Sequence, residues 1–338
     1  MNAFKLRPIL SLAAMATFGS LWVNAPAMGQ TVEVTSEQAA SALAELRVKY
    51  SDSQDRFMTI AGIEVAYRDE GAGPAILLIH GSSSNMRSFD RVAELLTKKF
   101  RVIRYDVPPF GISGPVDNLD LTGVAPTDIP AGLLKGLGID SATIVGTSFG
   151  GSIALNLASV HPDIVDRLII SNSPSDPVGQ INYEYLGPTF TAALKKYGLT
   201  GPRPMEFWVP NLEYYYGEPS RLRRETAQQA MDFDRPIPKR NVLAMISLTA
   251  DNKAVRAAYG KVRGPVLLLW GGRDPMLPVS AAKNLATYIP QAEVSTMIMP
   301  DVGHYPAMEV PDRYAALVEA YIRMATPVRP VAPPPLER

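Results

Sequence analysis

The segment Thr143–Gly151 constrains the fold of this chain more than any other stretch of its sequence. Its first residues are apolar and β-branched and predict a buried strand, and the residues after it predict a helix. Between the two lies the pattern Gly146-x-Ser148-x-Gly150. A serine in such a sharp strand-to-helix turn needs small neighbours two residues away, because the two backbones nearly touch there. The turn exposes the Ser148 hydroxyl and directs the Phe149 backbone N–H toward whatever the serine attacks.

Two further polar residues follow predicted strands in the second half of the chain. The continuous apolar run Val266–Trp270 is typical of a strand covered on both faces, and it leads into a loop that contains Asp274. The strand predicted over Glu293–Met299 leads into a Gly-His loop that contains His304. A serine, an aspartate and a histidine therefore each follow a predicted strand, in the order Ser148, Asp274, His304.

With these motifs the chain resembles the α/β-hydrolase family over roughly residues 47–325. The resemblance implies an α/β fold with a mostly parallel central sheet, helices on both faces and a helical lid inserted before the penultimate strand. It also implies a catalytic triad of Ser148 as nucleophile, His304 as general base and Asp274 as the acid that orients the histidine. Haloalkane dehalogenases and epoxide hydrolases of this fold use an aspartate at the elbow, so Ser148 argues against both.

The resemblance also implies an oxyanion hole. In the family, a His-Gly pair after the strand that corresponds to Ala75–Ile79 opens a loop that supplies one backbone N–H, and the residue after the nucleophile supplies the other. Carried over by position, these donors are the N–H groups of Ser82 and Phe149. Gly81 lets the loop backbone approach the substrate. The His80 ring is interpreted as structural, because its hydrogen bonds would hold the loop.

Two more residues are candidates for the substrate pocket. Ser83 belongs to the run Ser82–Asn85, whose side chains either line the pocket or cap the next helix, and the sequence favours neither interpretation. Phe110 lies in a turn after a strand predicted at Arg101–Tyr105, and we expect its ring on the pocket wall. Asp106 in the same turn is interpreted as a turn residue and not as a catalytic acid.

The pattern of strands, helices and turn residues divides the chain into segments. A capping box at Thr35-x-x-Gln38 predicts a short helix ahead of the core, and the lid segment is far too long for a simple connection. The segments are an export signal peptide at 1–30, an N-terminal amphipathic segment at 31–56, a hydrolase core at 57–172 and 263–326, a helical lid at 173–262, and a disordered proline-rich tail at 327–338.

The N-terminal residues have the composition of an export signal. Lys5 and Arg7 give a positive start, and the apolar stretch Ile9–Val23 is shorter than a membrane span. Ala25-Pro26-Ala27 offers a cleavage site, and the alternative is an uncleaved anchor helix. We therefore expect an exported protein, periplasmic or secreted, without a stable membrane anchor after cleavage.

The lid segment is rich in aromatic residues. We expect most of them to pack the lid against itself and a minority to form an apolar roof over the substrate. They are Tyr183, Tyr185, Phe190, Tyr197, Phe207, Trp208, Tyr214, Tyr215, Tyr216 and Phe233.

Composition excludes several kinds of chemistry. The chain has no cysteine, which excludes disulfides, thiolate catalysis and cysteine zinc sites, and its three histidines do not suggest a histidine-rich metal site. Lys plus Arg and Asp plus Glu are 33 each, so the zero net charge offers no electrostatic reason to expect a nucleic acid or an anionic membrane as partner. We expect no metal and no cofactor.

The sequence as a whole favours a serine hydrolase that cleaves carboxylic esters of small to medium apolar substrates through an acyl-enzyme. Its expected partner is a small-molecule ester. Other reactions of the Ser-Asp-His group within this family are carbon–carbon bond hydrolysis and cofactor-free haloperoxidase chemistry, and nothing in the sequence excludes them. A non-catalytic receptor for a small ligand is a further alternative.

Overall fold

The computed structural model describes residues 34–114, 123–175, 186–198, 202–237 and 251–324. The predicted export signal at 1–30, the predicted disordered tail at 327–338 and the part of the predicted lid that holds Tyr183 and Tyr185 lie outside these residues. The strands are β1 Arg56–Ile60, β2 Ile63–Gly71, β3 Ala75–Ile79, β4 Arg101–Tyr105, β5 Ala142–Thr147, β6 Val165–Ser171, β7 Gly264–Gly271 and β8 Ala292–Met299.

These eight strands form one sheet in the order β1-β2-β4-β3-β5-β6-β7-β8. β2 pairs antiparallel with β1 and β4, and the remaining neighbours are parallel. The central strand β3 is apolar throughout because both of its faces are covered: Leu77 and Ile79 face one core cluster, while Ile76 and Leu78 face the other. The mostly parallel α/β fold predicted from the sequence is therefore confirmed.

Helices cover both faces of the sheet. The helices that pack on the face of Leu77 and Ile79 are α3 Asp128–Gly136, α4 Phe149–Val160, α8 Asn252–Tyr259 and α9 Val279–Tyr288. The helices that pack on the face of Ile76 and Leu78 are α2 Asp90–Leu96, the short α10 Pro306–Glu309 and α11 Pro311–Met324. The chain's remaining described helices are α1 Ser36–Tyr50, α5 Gly187–Tyr197, α6 Met205–Tyr215 and α7 Arg224–Asp232.

The strand order brings the predicted catalytic loops to one edge of the sheet. β3 lies between β4 and β5, so successive connections depart in opposite directions and leave a crevice at the carboxyl ends of these strands. The loop after β3, Ser148 after β5, Asp274 after β7 and His304 after β8 all follow the carboxyl ends of parallel strands. Because the strands are parallel, these groups meet although they are far apart in sequence.

The helices α5, α6 and α7 form a cap segment, residues 186–198 and 202–237, with an apolar cluster of its own. The aromatic residues Phe190, Phe207 and Trp208 are buried in this cluster. α1 connects the cap to the core, since its side chains pack against both, and the Tyr50 hydroxyl donates to Asp232 of α7 at 2.5 Å. The capping box predicted at the start of α1 is present.

One helix of the predicted lid segment lies in the core instead. α8 packs against α4 and α9, and its Val255 and Tyr259 are buried in the same cluster as the central strands. The inserted segment predicted at 173–262 therefore returns to the core before its last residues. A single sequence does not show this, because an apolar helix face looks the same whichever layer it covers.

None of the helices in the described part of the chain is long and apolar enough to span a membrane.

Candidate active site

Ser148 occupies a strained turn between β5 and α4. Its φ of 53° lies in the left-handed region, which a non-glycine residue adopts only where the surroundings enforce it. A Cβ on Gly146 would lie 2.4 Å from the Gly150 carbonyl oxygen, and one on Gly150 would lie 2.2 Å from that of Ile79. Both glycines of the Gly-x-Ser-x-Gly pattern are thus required by the close approach of strand and helix.

The three residues predicted as a triad form one hydrogen-bonded relay. His304 Nε2 lies 3.0 Å from Ser148 Oγ, and His304 Nδ1 lies 2.6 Å from Asp274 Oδ2. His304 and Asp274 are buried, whereas Ser148 is partly exposed. With Nδ1 donating to the carboxylate, Nε2 is free to accept the serine proton, which is the arrangement that nucleophilic catalysis by serine requires.

The carboxylate of Asp274 is held at both oxygens. Oδ1 accepts the backbone N–H groups of Met276 at 2.8 Å and Leu277 at 2.9 Å. Oδ2 accepts the Asn172 side-chain amide at 2.7 Å as well as the His304 ring. These bonds fix the orientation of the carboxylate and, through it, the plane of the imidazole.

Asn172 is a site residue that the sequence analysis missed. It follows β6 with a φ of 45°, and its side chain spans two loops, because its Oδ1 accepts the Gly271 N–H at 2.9 Å while its amide donates to Asp274. Its only signal in the sequence is an asparagine directly after a strand, where a left-handed residue is common. That signal does not indicate the distant carboxylate that it contacts.

We expect Asn172→Ala to lower kcat without a comparable change in KM. A hydrogen bond to a charged group contributes about 1.5–3 kcal/mol, so kcat should fall roughly 10- to 100-fold as Asp274 gains freedom to turn. Steady-state kinetics on an active substrate measure this. The matched control is Asn156→Ala, whose amide donates to the Ser152 carbonyl oxygen within α4. An Asn172→Ala enzyme with the control's kcat would show that the Asn172 bond does not orient the carboxylate.

The predicted oxyanion-hole residues lie on either side of Ser148. Phe149 is the first residue of α4, so its N–H has no acceptor within the helix and the helix dipole favours negative charge there. The loop after β3 approaches from the other side: a Cβ on Gly81 would lie 2.9 Å from the Cβ of Ser148. This close approach brings the backbone around Ser82 to the nucleophile.

The His80 ring holds that loop, as its interpretation as a structural residue requires. Nδ1 lies 2.8 Å from the Gly81 carbonyl oxygen, and Nε2 lies 2.8 Å from the Val107 backbone nitrogen, which must be the donor. Burial lowers the pKa of His80 to about 4, so the ring is neutral near pH 7. A neutral ring donates from Nδ1 and accepts at Nε2, which is what the two contacts need.

The turn after β4 supports the same loop. Asp106 accepts the backbone N–H groups of Met86 at 2.6 Å and Ile112 at 2.8 Å, and burial raises its pKa to about 6. Each carboxylate oxygen of Asp106 thus accepts a backbone N–H group, as expected for a turn residue. Phe110 is buried with its ring edge-on to His80, at a centroid distance of 6.4 Å, so it packs against the residue that holds the oxyanion loop.

The residues of the run Ser82–Asn85 differ in their contacts and in their exposure. Asn85 caps the following turn by accepting the Arg87 N–H at 3.0 Å. Ser83 is exposed at a φ of 53°, whereas Ser84 lines a small cavity beside Gly81. The cavity has no ionised side chain in its lining, which consists of His80, Gly81, Ser84, Ser88, Phe89, Thr147, Tyr305, Ala307 and Met308.

The cap segment contacts His304 through Tyr215. Its ring lies 5.6 Å from the His304 ring and 5.6 Å from the Tyr305 ring, and its carbonyl oxygen accepts the His304 backbone N–H at 2.7 Å. Burial raises the pKa of both tyrosines, so their hydroxyls remain protonated at neutral pH. Tyr215 thus lies beside His304, while Phe190 and Phe207 pack inside the cap.

Within the described ranges no group of three or more histidine, aspartate or glutamate side chains is arranged to hold a metal ion.

Comparisons with known proteins agree with this fold. A family model described as the alpha/beta hydrolase fold matches residues 74–311. The chain is 28% identical over 285 residues to 2-hydroxymuconate semialdehyde hydrolase of Pseudomonas putida, covering 80% of this chain and 94% of that protein. It is 27% identical over 296 residues to an uncharacterized protein of Mycobacterium tuberculosis, covering 80% and 82%. A putative lipase from Acinetobacter baumannii superposes with a TM-score of 0.67 at 22% identity, covering 88% and 98%.

Proposed function

Because this chain belongs to the α/β-hydrolase family, we propose that it hydrolyses carboxylic esters of small to medium apolar substrates through an acyl-enzyme on Ser148. The observation that carries the proposal is the relay of Ser148, His304 and Asp274, with contacts of 3.0 and 2.6 Å. The aromatic rings of Tyr215 and Tyr305 beside His304 support an apolar substrate.

In the proposed reaction Ser148 Oγ attacks the ester carbonyl carbon while His304 Nε2 takes its proton. The carbonyl oxygen becomes an oxyanion and accepts hydrogen bonds from the N–H groups of Phe149 and Ser82, each of which contributes about 3 kcal/mol to the barrier reduction. The ester C–O bond then breaks, and the departing alcohol takes the proton from His304. Water, deprotonated by His304, attacks the acyl group and releases the acid and the serine.

A series of p-nitrophenyl esters of increasing acyl length tests the proposal directly. We expect turnover with an optimum at short to medium acyl chains, as the proposed class of substrate requires. The chain length at which kcat/KM falls would give the size of the acyl pocket. A folded protein that hydrolyses none of these esters would exclude esterase activity on simple acyl chains.

Hydrolysis of a carbon–carbon bond is the second candidate, and the similarity to 2-hydroxymuconate semialdehyde hydrolase favours it. The same nucleophile and base would serve both reactions, so the relay does not discriminate between them. The compound that discriminates between the two reactions is 2-hydroxy-6-oxo-6-phenylhexa-2,4-dienoate. Another relative of this chain, from Burkholderia cepacia, is named as the hydrolase of this compound. Turnover of this compound together with inactivity on the ester series would replace our first proposal by the second.

We also propose that the protein is exported, on the composition of residues 1–30. Expression of the full chain in a Gram-negative host should yield a periplasmic protein whose mass lacks the residues up to Ala27 or close to it. Intact-mass spectrometry of the periplasmic fraction measures this. Full-length protein in the membrane fraction would instead indicate the uncleaved anchor helix.

A further inference from the structure

The end of α6 lies backbone to backbone against the loop that carries the catalytic histidine. A Cβ on Gly303 would lie 2.0 Å from the Tyr215 carbonyl oxygen, and one on Gly217 would lie 2.6 Å from the Asp301 carbonyl oxygen. Neither glycine has room for a side chain. The His304 N–H donates to the Tyr215 carbonyl at 2.7 Å, so a residue of the cap fixes the histidine backbone.

The carboxylate of Glu309 joins these two stretches of backbone. Its Oε2 accepts the N–H groups of Gly217 at 3.0 Å and Gly303 at 2.8 Å. Its Oε1 accepts the N–H of Glu218 at 3.0 Å and Nη1 of Arg221 at 2.9 Å. The Glu309 side chain is fully buried. Since every partner is a donor, an ionised carboxylate, which only accepts, satisfies all of them.

Arg221 supplies the counter-charge that this buried carboxylate needs. Besides Glu309, its guanidinium donates to the Asp301 carbonyl oxygen at 2.9 Å and to the Asp301 side chain at 2.6 Å. A buried carboxylate without such a partner would be costly. Arg221 belongs to the cap segment, so the ion pair and the backbone contacts connect the same two parts of the chain.

We propose that Glu309 is a positioning residue for His304, which it holds by locking the cap to the histidine loop, with Arg221 as its counter-ion. The inference rests on the proposed function, since it concerns how His304 is held against Ser148. A reacting group misplaced by about 1 Å can cost about 100-fold in rate. Displacement of the cap at this point would move the His304 backbone and therefore lengthen the contact with the serine. This end of the cap is thus part of the catalytic scaffold.

Labelling by a fluorophosphonate tests the inference without assuming an ester substrate. In that reaction Ser148 Oγ forms a bond to phosphorus, fluoride leaves, and His304 takes the serine proton, so the rate depends on the Ser148–His304 pair without requiring an ester substrate. The variants are Glu309→Ala, Glu309→Gln and Arg221→Gln. Arg313→Ala is the matched control, because Arg313 pairs with Asp301 from the solvent side without contacting Glu309.

We expect Glu309→Ala to label about 30-fold more slowly than wild type, and Arg221→Gln several-fold more slowly. Glu309→Gln should recover part of the loss, since one amide oxygen can still accept the Gly217 and Gly303 N–H groups. On an active ester, kcat should fall with KM nearly unchanged, and the control should match wild type. If Glu309→Ala does not fold, the Gln and Arg221 variants decide.

Two outcomes separate the inference from the function on which it rests. Glu309 and Arg221 variants that label at the control's rate would overturn the positioning role while leaving Ser148 as the nucleophile. A folded wild-type protein that does not label at Ser148 would overturn the proposed function, and the positioning role with it.

Discussion

Replacing Ser148 by alanine should abolish turnover, with a fall in kcat of roughly a million-fold. The reason is chemical: without Oγ no acyl-enzyme forms, and the remaining oxyanion donors stabilise only a slow direct attack by water. The variant should fold as wild type, because alanine removes one oxygen from a partly exposed side chain and leaves the turn unchanged. Steady-state kinetics with the best ester of the series measure the loss.

A second serine on the same helix provides the control for this prediction. Ser159 lies near the end of α4, and its hydroxyl donates to the Asn156 carbonyl oxygen at 2.9 Å, away from the relay. Ser159→Ala should retain wild-type kcat and KM. Activity that survives Ser148→Ala would disprove the assignment of Ser148 as nucleophile, whatever the substrate. A Ser159→Ala variant that is inactive and unfolds at a lower temperature than wild type would show instead that α4 does not tolerate substitution.

Replacing Asp274 by asparagine should lower kcat about 10,000-fold while the fold is retained. One amide oxygen can still accept the Met276 and Leu277 N–H groups, but the amide nitrogen then faces two donors, the Asn172 amide and His304 Nδ1. To avoid that clash the histidine must place its proton on Nε2. It then no longer accepts the proton of Ser148.

The kinetic signature of Asp274→Asn distinguishes a wrong tautomer from lost binding. We expect kcat and kcat/KM to fall together, because the interaction matters only in the transition state. Asp312→Asn is the control, since Asp312 is an exposed partner of Arg91 and lies away from the relay. A large rise in KM with kcat preserved would mean that Asp274 acts in substrate binding and would contradict its orienting role.

The sequence predicted the three members of the relay because each is tied to a local rule. Ser148 needs glycines at fixed offsets, and Asp274 and His304 each follow a recognisable strand. In the structure β7 and β8 are neighbours and β6 alone separates them from β5, so the order of the three residues along the chain was enough to infer the relay. For the substrate pocket the sequence left two interpretations of the serine run open, and the placement of Ser83 in that pocket stays a prediction.

The residues that hold the relay were not predictable in this way. Asn172 contacts Asp274 across 102 positions, and Glu309 contacts Gly217 across 92. Neither has a motif, since one carboxylate or amide in a sequence looks like any other until its donors are known. The helix Asn252–Tyr259 is a similar case, because its apolar face fits the core as well as the cap.

The sequence by itself therefore determined the sheet, the elbow and the three residues that form the hydrogen-bonded relay. These depend on short-range effects: apolar periodicity, the conformational freedom of glycine, and turns at strand ends. Only the tertiary structure decided which neutral and charged side chains surround Asp274 and His304, and that the cap shares its backbone contacts with the histidine loop. These contacts arise from packing between segments that are distant in sequence. Each buried polar group there needs a hydrogen-bond partner, and the spacing of residues along the chain does not indicate which residue that partner is.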